Sequence, residues 1–95
     1  MAILTETLNS VKSTLRISTT SMDIEIADII EACKLDLKYA GVNIVAETDP
    51  LIKRAIIIYT KAQFGMDNQD SEKYQESYES LKNHLSLCGD YNEIL

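Results

Sequence analysis

The chain has 95 residues, 45% of them hydrophobic and 25% charged, with a formal net charge of −6. That is enough for one domain with one modest core, and too apolar for a disordered chain. The negative charge, with no Lys/Arg run, opposes a nonspecific grip on nucleic acid, and the scarcity of Gly (3) and Pro (1) disfavours a many-turned β-sandwich or barrel.

The chain opens without the basic start and apolar stretch of a secretory signal. Leu4, Leu8, Val11 and Leu15 then recur at i, i+4, i+7 and i+11, one narrow apolar stripe that predicts a helix near 4–15. "RISTTS" interrupts it, because Ser and Thr compete for backbone groups and favour turns and caps.

A second helix is predicted near 21–40, with Thr20 or Ser21 as N-cap and Asp23 and Glu25 complementing the helix dipole. Met22, Ile26, Ile29, Ile30, Cys33, Leu37 and Ala40 cover roughly a third of its circumference at about 100° per residue. Gly41 is the expected stop. Ile24, Leu35 and Tyr39 form a second apolar line off that stripe. "GVNIVAETD" reads as a loop whose Ile44 and Val45 tuck onto the core; it lacks the partner a sheet would need.

The third helix, near 50–64, has a start with a mechanism: Thr48 or Asp49 caps, and Pro50 sits where its missing N–H is harmless. Leu51, Ile52, Ala55, Ile56, Ile58, Tyr59 and Ala62 share an arc of roughly 160°, which places this helix at the centre of the bundle. Ile57 and Phe64 stand outside the arc among Lys53, Thr60 and Lys61. After the polar turn "MDNQD", Tyr74, Tyr78, Leu81 and Leu85 make a clean stripe on a fourth helix near 71–87, capped by Asp70 or Ser71. Its other face, Glu72, Lys73, Gln75, Glu76, Glu79 and Lys82, reads as solvated. Gly89 is expected to stop it, leaving "DYNEIL" as a tail. The fold expectation is therefore all-α, a small four-helix bundle over 1–89 with a short, mobile C-terminal tail over 90–95.

Chemistry is sparse. Cys33 and Cys88 show no metal or CxxC spacing and read as reduced thiols of a cytosolic protein. His84 stands alone, whereas a metal site or a catalytic triad needs several converging groups. The carboxylates lie singly on polar faces, and no phosphate loop or GxSxG is present. No catalytic residue, cofactor or metal is expected. The longest apolar run, Ala55–Tyr59, is too short to span a bilayer.

What remains is apolar surface that one face per helix cannot bury. The segment "DPLIKRAIIIYTKAQFGMDNQDSEKYQESYESLKNHLSLCGDYN", Asp49 to Asn92, resembles the C-terminal half of the phage head–tail connector family, the small head-completion proteins of tailed bacteriophages and prophages. "DIEIADIIEACKLDLKYAGV" is similar to the helix that precedes a loop in that family. The resemblance implies an all-helical, non-enzymatic structural subunit that forms a ring beneath the portal, extends the DNA channel and docks the tail. Some relatives carry a DNA packaging label. The implied partners are the portal protein, a tail-side completion protein and further copies of the chain. DNA would pass through without sequence-specific binding, and no membrane is involved. The implied location is the head–tail junction of the virion, reached from the bacterial host cytoplasm.

The candidate subunit or partner contacts are Ile24, Leu35, Tyr39, Val42, Ile44, Ile57, Phe64, Tyr91, Ile94 and Leu95. A ring subunit needs two unlike lateral surfaces, which gives such residues a use. The alternative from another class is a small helical adaptor or regulatory module binding a single cellular protein partner. A DNA-binding regulator ranks last, because Lys53, Arg54 and Lys61 make only a slight basic patch.

Overall fold

The computed structural model describes residues 5–43, 45–64 and 70–92; the side chains of Phe64, Asp90 and Asn92 lie outside that description. Four helices form: α1 (Thr5–Leu15), α2 (Asp23–Tyr39), α3 (Pro50–Phe64) and α4 (Ser71–Ser86). A single further turn, α5 (Gly89–Asn92), follows. No strand occurs among the described residues. The molecule is a small all-α bundle with a radius of gyration of 13.0 Å.

α3 packs against α1, α2 and α4, as the wide apolar arc requires. The core comprises Val11 of α1, Ile26, Ile30, Cys33 and Leu37 of α2, Val42 of the following loop, Ile52, Ala55 and Ile56 of α3, and Tyr78 and Leu85 of α4. Each buried Ile or Leu contributes about 1.5–3 kcal/mol relative to exposure, so four converging stripes offset the ordering of four helices.

The buried face of α3 is turned from its expected position. Leu51 is exposed, Ile58 and Tyr59 are half-buried, and Thr60 is fully buried with its hydroxyl donating to the Ile56 carbonyl at 2.7 Å. The rotation is about 40° at 100° per residue. Neighbours on three sides cover flanks that a two-layer packing would leave wet.

The stops follow local chemistry. At the end of α2, Gly41 takes a φ of 103°, the Val42 N–H donates to the Leu37 carbonyl at 2.9 Å, and the Gly41 N–H donates to the Lys38 carbonyl at 3.1 Å. This is a Schellman ending, and its apolar contact between Leu37 and Val42 is buried. α1 ends the same way: the Ile17 N–H reaches the Lys12 carbonyl at 2.9 Å, but the left-handed position is held by Arg16, φ 60°. A non-Gly residue there costs about 1 kcal/mol.

The starts depart from expectation at α2 and at α4, where Asp70 is the N-cap residue but makes no side-chain cap hydrogen bond. Asp49 caps α3, its Oδ1 accepting from the N–H groups of Leu51 (2.9 Å) and Ile52 (3.3 Å), with Pro50 as the first helical residue. α2 instead begins after Met22 with no side-chain cap, not at Thr20 or Ser21. The hydroxyls there serve their own turn: Thr19 Oγ1 accepts from the Ser21 N–H at 3.2 Å. α4 ends at Ser86, with Leu87 as its C-cap, and Gly89 opens α5 rather than closing α4.

Candidate assembly surface

Ile24 is 81% exposed, Leu35 49% and Tyr39 86%. They share one side of α2, opposite the buried Ile26, Ile30, Cys33 and Leu37. Leu51 (41%) and Leu87 (78%) are further exposed apolar side chains, which the sequence reading had assigned to other roles or passed over.

The other expected contacts divide differently. Val42 is 0% exposed because the Schellman ending turns it inward, so its side chain belongs to the monomer core. Ile57 is half-buried and packs against that core, since α3 is enclosed on three sides; ordinary packing accounts for much of it. Tyr91 also packs against the core, and its hydroxyl donates to the Asp49 carboxylate, 3.0 Å from each oxygen. The expected mobile tail thus begins with a docked helical turn, and the boundary expected after residue 89 falls inside α5. The side chain of Phe64, and the whole of Ile44, Ile94 and Leu95, lie outside the described residues.

The loop between α2 and α3 is fastened at both ends. Beyond Val42, the Lys34 ammonium lies 2.5 Å from Glu47 Oε2, with both side chains almost wholly buried. Reading the residues one helix at a time missed this pair. The available signal was that Lys34 falls one turn after Ile30, at the edge of the apolar stripe, where a cation needs a nearby acid.

A second polar group joins α2 to α4. The Tyr78 hydroxyl donates to Asp36 Oδ2 at 2.7 Å, and Lys82 Nζ reaches the same oxygen at 3.0 Å and Glu79 at 2.9 Å. Lys82 therefore sits in an inter-helix cluster, not on a solvated face. Burial pulls the Asp36 carboxyl upward, but the Tyr78 and Lys82 hydrogen bonds outweigh it and hold the group below its ordinary range. Burial would likewise lower Lys82, yet bonds to Glu79 and Asp36 raise it. Burial, then the neighbouring Cys33 and Asp36, pushes Tyr78 upward. Tyr59 meets Tyr78 edge-on, with ring centroids 4.8 Å apart. Cys33, whose thiol points at the Tyr78 hydroxyl at 3.8 Å, is pushed up by burial to about 12, a protonated and unreactive thiol at neutral pH.

This cluster satisfies buried polar atoms and fixes the register of two helices; Asp36 and Lys82 neutralise one another. His84 is exposed on α4. Among the described residues, no three His, Cys, Asp or Glu side chains gather where a metal ion could be held, and no helix is long and apolar enough to cross a membrane. What the surface does present is apolar side chains in water, Ile24, Leu35, Tyr39, Leu51 and Leu87.

Against known proteins, a family described as phage connector protein matches residues 7–92. That range takes in α1 to α5 almost entire. No curated protein and no solved structure matches the chain.

Proposed function

The chain belongs to the phage connector protein family, and from that premise we propose that it is a non-enzymatic structural subunit of the head–tail junction. Copies assemble as a ring beneath the portal, prolong the DNA channel and present a docking site for the tail. Its partners are the portal protein on one side and a tail-side completion protein on the other. It reaches the virion from the host cytoplasm.

The observation that carries this reading beyond family membership is the line Ile24, Leu35 and Tyr39, exposed along a helix whose opposite side is already buried. Large apolar side chains aligned on a small monomer are what an assembly surface requires. The net charge of −6 suits a conduit, because DNA must slide past without its phosphates being held.

The test is particle assembly in a phage that encodes the chain. Leu35→Ser with Tyr39→Ser should leave the subunit folded while filled heads accumulate without tails in electron micrographs. Normal yields of tailed, infectious particles from this double variant would remove α2 as the assembly surface. Tailed particles lacking the protein altogether would remove the connector role.

A further inference from the structure

Two helices of this chain carry opposite net charge. α3 holds Lys53, Arg54 and Lys61 and no acid, whereas α2 holds Asp23, Glu25, Asp28, Glu31 and Asp36 against Lys34 and Lys38. The net charges are +3 and −3. Ion pairs of α2 run to other elements: Asp23 to Lys12 of α1, Lys34 to Glu47 of the loop, and Asp36 to Lys82 of α4.

On the outer side of α2, Ile24, Asp28, Leu35 and Tyr39 fall within about 60° of one another, all exposed. Opposite the buried Ile52, Ile56 and Thr60 of α3, Leu51, Arg54, Ile58 and Lys61 fall within about 80°. Leu51 and Arg54 are exposed, Ile58 is half-buried with part of its side chain against the core, and Lys61 is half-buried. The Lys61 ammonium is steadied over the Tyr74 ring, 5.1 Å from its centroid. Each face is thus an apolar ladder with charge set into it, the single acid Asp28 on α2 and the two cations Arg54 and Lys61 on α3. At 1.5 Å per residue they run about 22 Å and about 15 Å.

Resting on the reading that copies of this chain associate, we infer that the acidic outer face of α2 in one copy seats on the basic outer face of α3 in the next. The occupant is a second copy because the complement to each face lies on the same molecule. The two faces are unlike, so the contact is head-to-tail and propagates until it closes. Two short helix faces bury less than the roughly 1,200 Å² of a stable complex, so the free protein associates weakly. Completion of the ring then falls to the surface on which it is built.

Sedimentation equilibrium of the whole chain up to millimolar concentration, in low salt and in roughly 1 M salt where the Debye length is about 3 Å, tests the pairing. Wild type should self-associate in low salt and revert to monomer in high salt. Asp28→Lys and Arg54→Glu should each weaken association about tenfold, and the two together in one chain should restore most of it, because every junction then carries the reversed pair. Helix content by circular dichroism identifies any variant that fails to fold; Asp28→Asn and Arg54→Gln then take its place, with a loss of salt dependence as the readout. Association that ignores both salt and charge reversal would overturn the α2–α3 pairing and leave ring assembly through another surface. A wild type that stays monomeric in low salt at millimolar concentration would overturn the pairing together with unaided self-association.

Discussion

Replacing Glu47 with leucine leaves the buried Lys34 ammonium without its carboxylate. Both side chains are about 95% removed from water, 6% and 5% exposed, and the ammonium has the carboxylate oxygen 2.5 Å away. Removing one member of such a pair costs about 3–5 kcal/mol, most of it the desolvation of the charge left behind. A domain of this size has about 5–15 kcal/mol of stability in all, so the loss is a large share. At about 4–8 °C per kcal/mol for a small domain, Tm should fall by at least about 12 °C. Replacing both members, Lys34→Met with Glu47→Leu, removes the stranded charge and should recover all but about 1 kcal/mol. Urea unfolding followed at 222 nm, with the two single variants and the double variant as a cycle, measures the coupling. A Glu47→Leu protein within about 0.5 kcal/mol of wild type would refute the reasoning, since it would mean that Lys34 finds water without disturbing the loop.

Other outcomes follow from the same packing. Ile57→Ser should destabilise the monomer by about 1–2 kcal/mol and Tyr39→Ser by less than about 0.5 kcal/mol, read from urea midpoints, because only Ile57 packs on the core; equal effects would erase the distinction between core and surface. Iodoacetamide at pH 8 should alkylate the half-buried Cys88 in the native protein and reach Cys33 only in denaturant, which peptide masses would show; similar rates at both would contradict the burial. Asp36 titrates below its ordinary value in the folded chain, so its contribution is present above about pH 4 and is lost as pH falls through the lower folded value. Wild type should therefore lose stability more steeply than Asp36→Asn as the pH falls below about 4, and parallel curves would show that the Tyr78 and Lys82 bonds do not favour the charged carboxylate.

Much of the fold was legible because it is written in periodicities. The stripes of Val11, Ile26, Ile30, Leu37, Tyr78 and Leu85 run along single helices, and burial on one side suffices to explain them. The starts and stops at Asp49, Pro50 and Gly41 were legible because each has a local cause. What failed was decided between elements. Thr60 reads as polar, yet its hydroxyl satisfies itself on the preceding turn and leaves a methyl-bearing side chain fit for the core. Lys82 reads as a solvated cation and Lys34 draws no notice, because their acids, Asp36 and Glu47, lie 46 and 13 residues away in the chain. Of the candidate contacts, the α2 line could be anticipated because Ile24, Leu35 and Tyr39 lie off the stripe that faces the core. Val42 could not, since whether a residue after a Schellman glycine turns inward depends on what waits there.

The Tyr91 hydroxyl spans 42 residues of sequence to meet the carboxylate that caps α3. Its effect is mechanical. Tension applied to the chain end beyond Asn92 does not simply unzip the last turn; it is delivered through Tyr91 to the cap of the helix around which α1, α2 and α4 are arranged. Asp49 is at once a helix cap and an anchorage, so a pull on the C-terminus reaches the start of α3 as well as the end of α4. A subunit held from that end would transmit strain inward, and the first bond to part would free the start of α3 as well as the end of the chain.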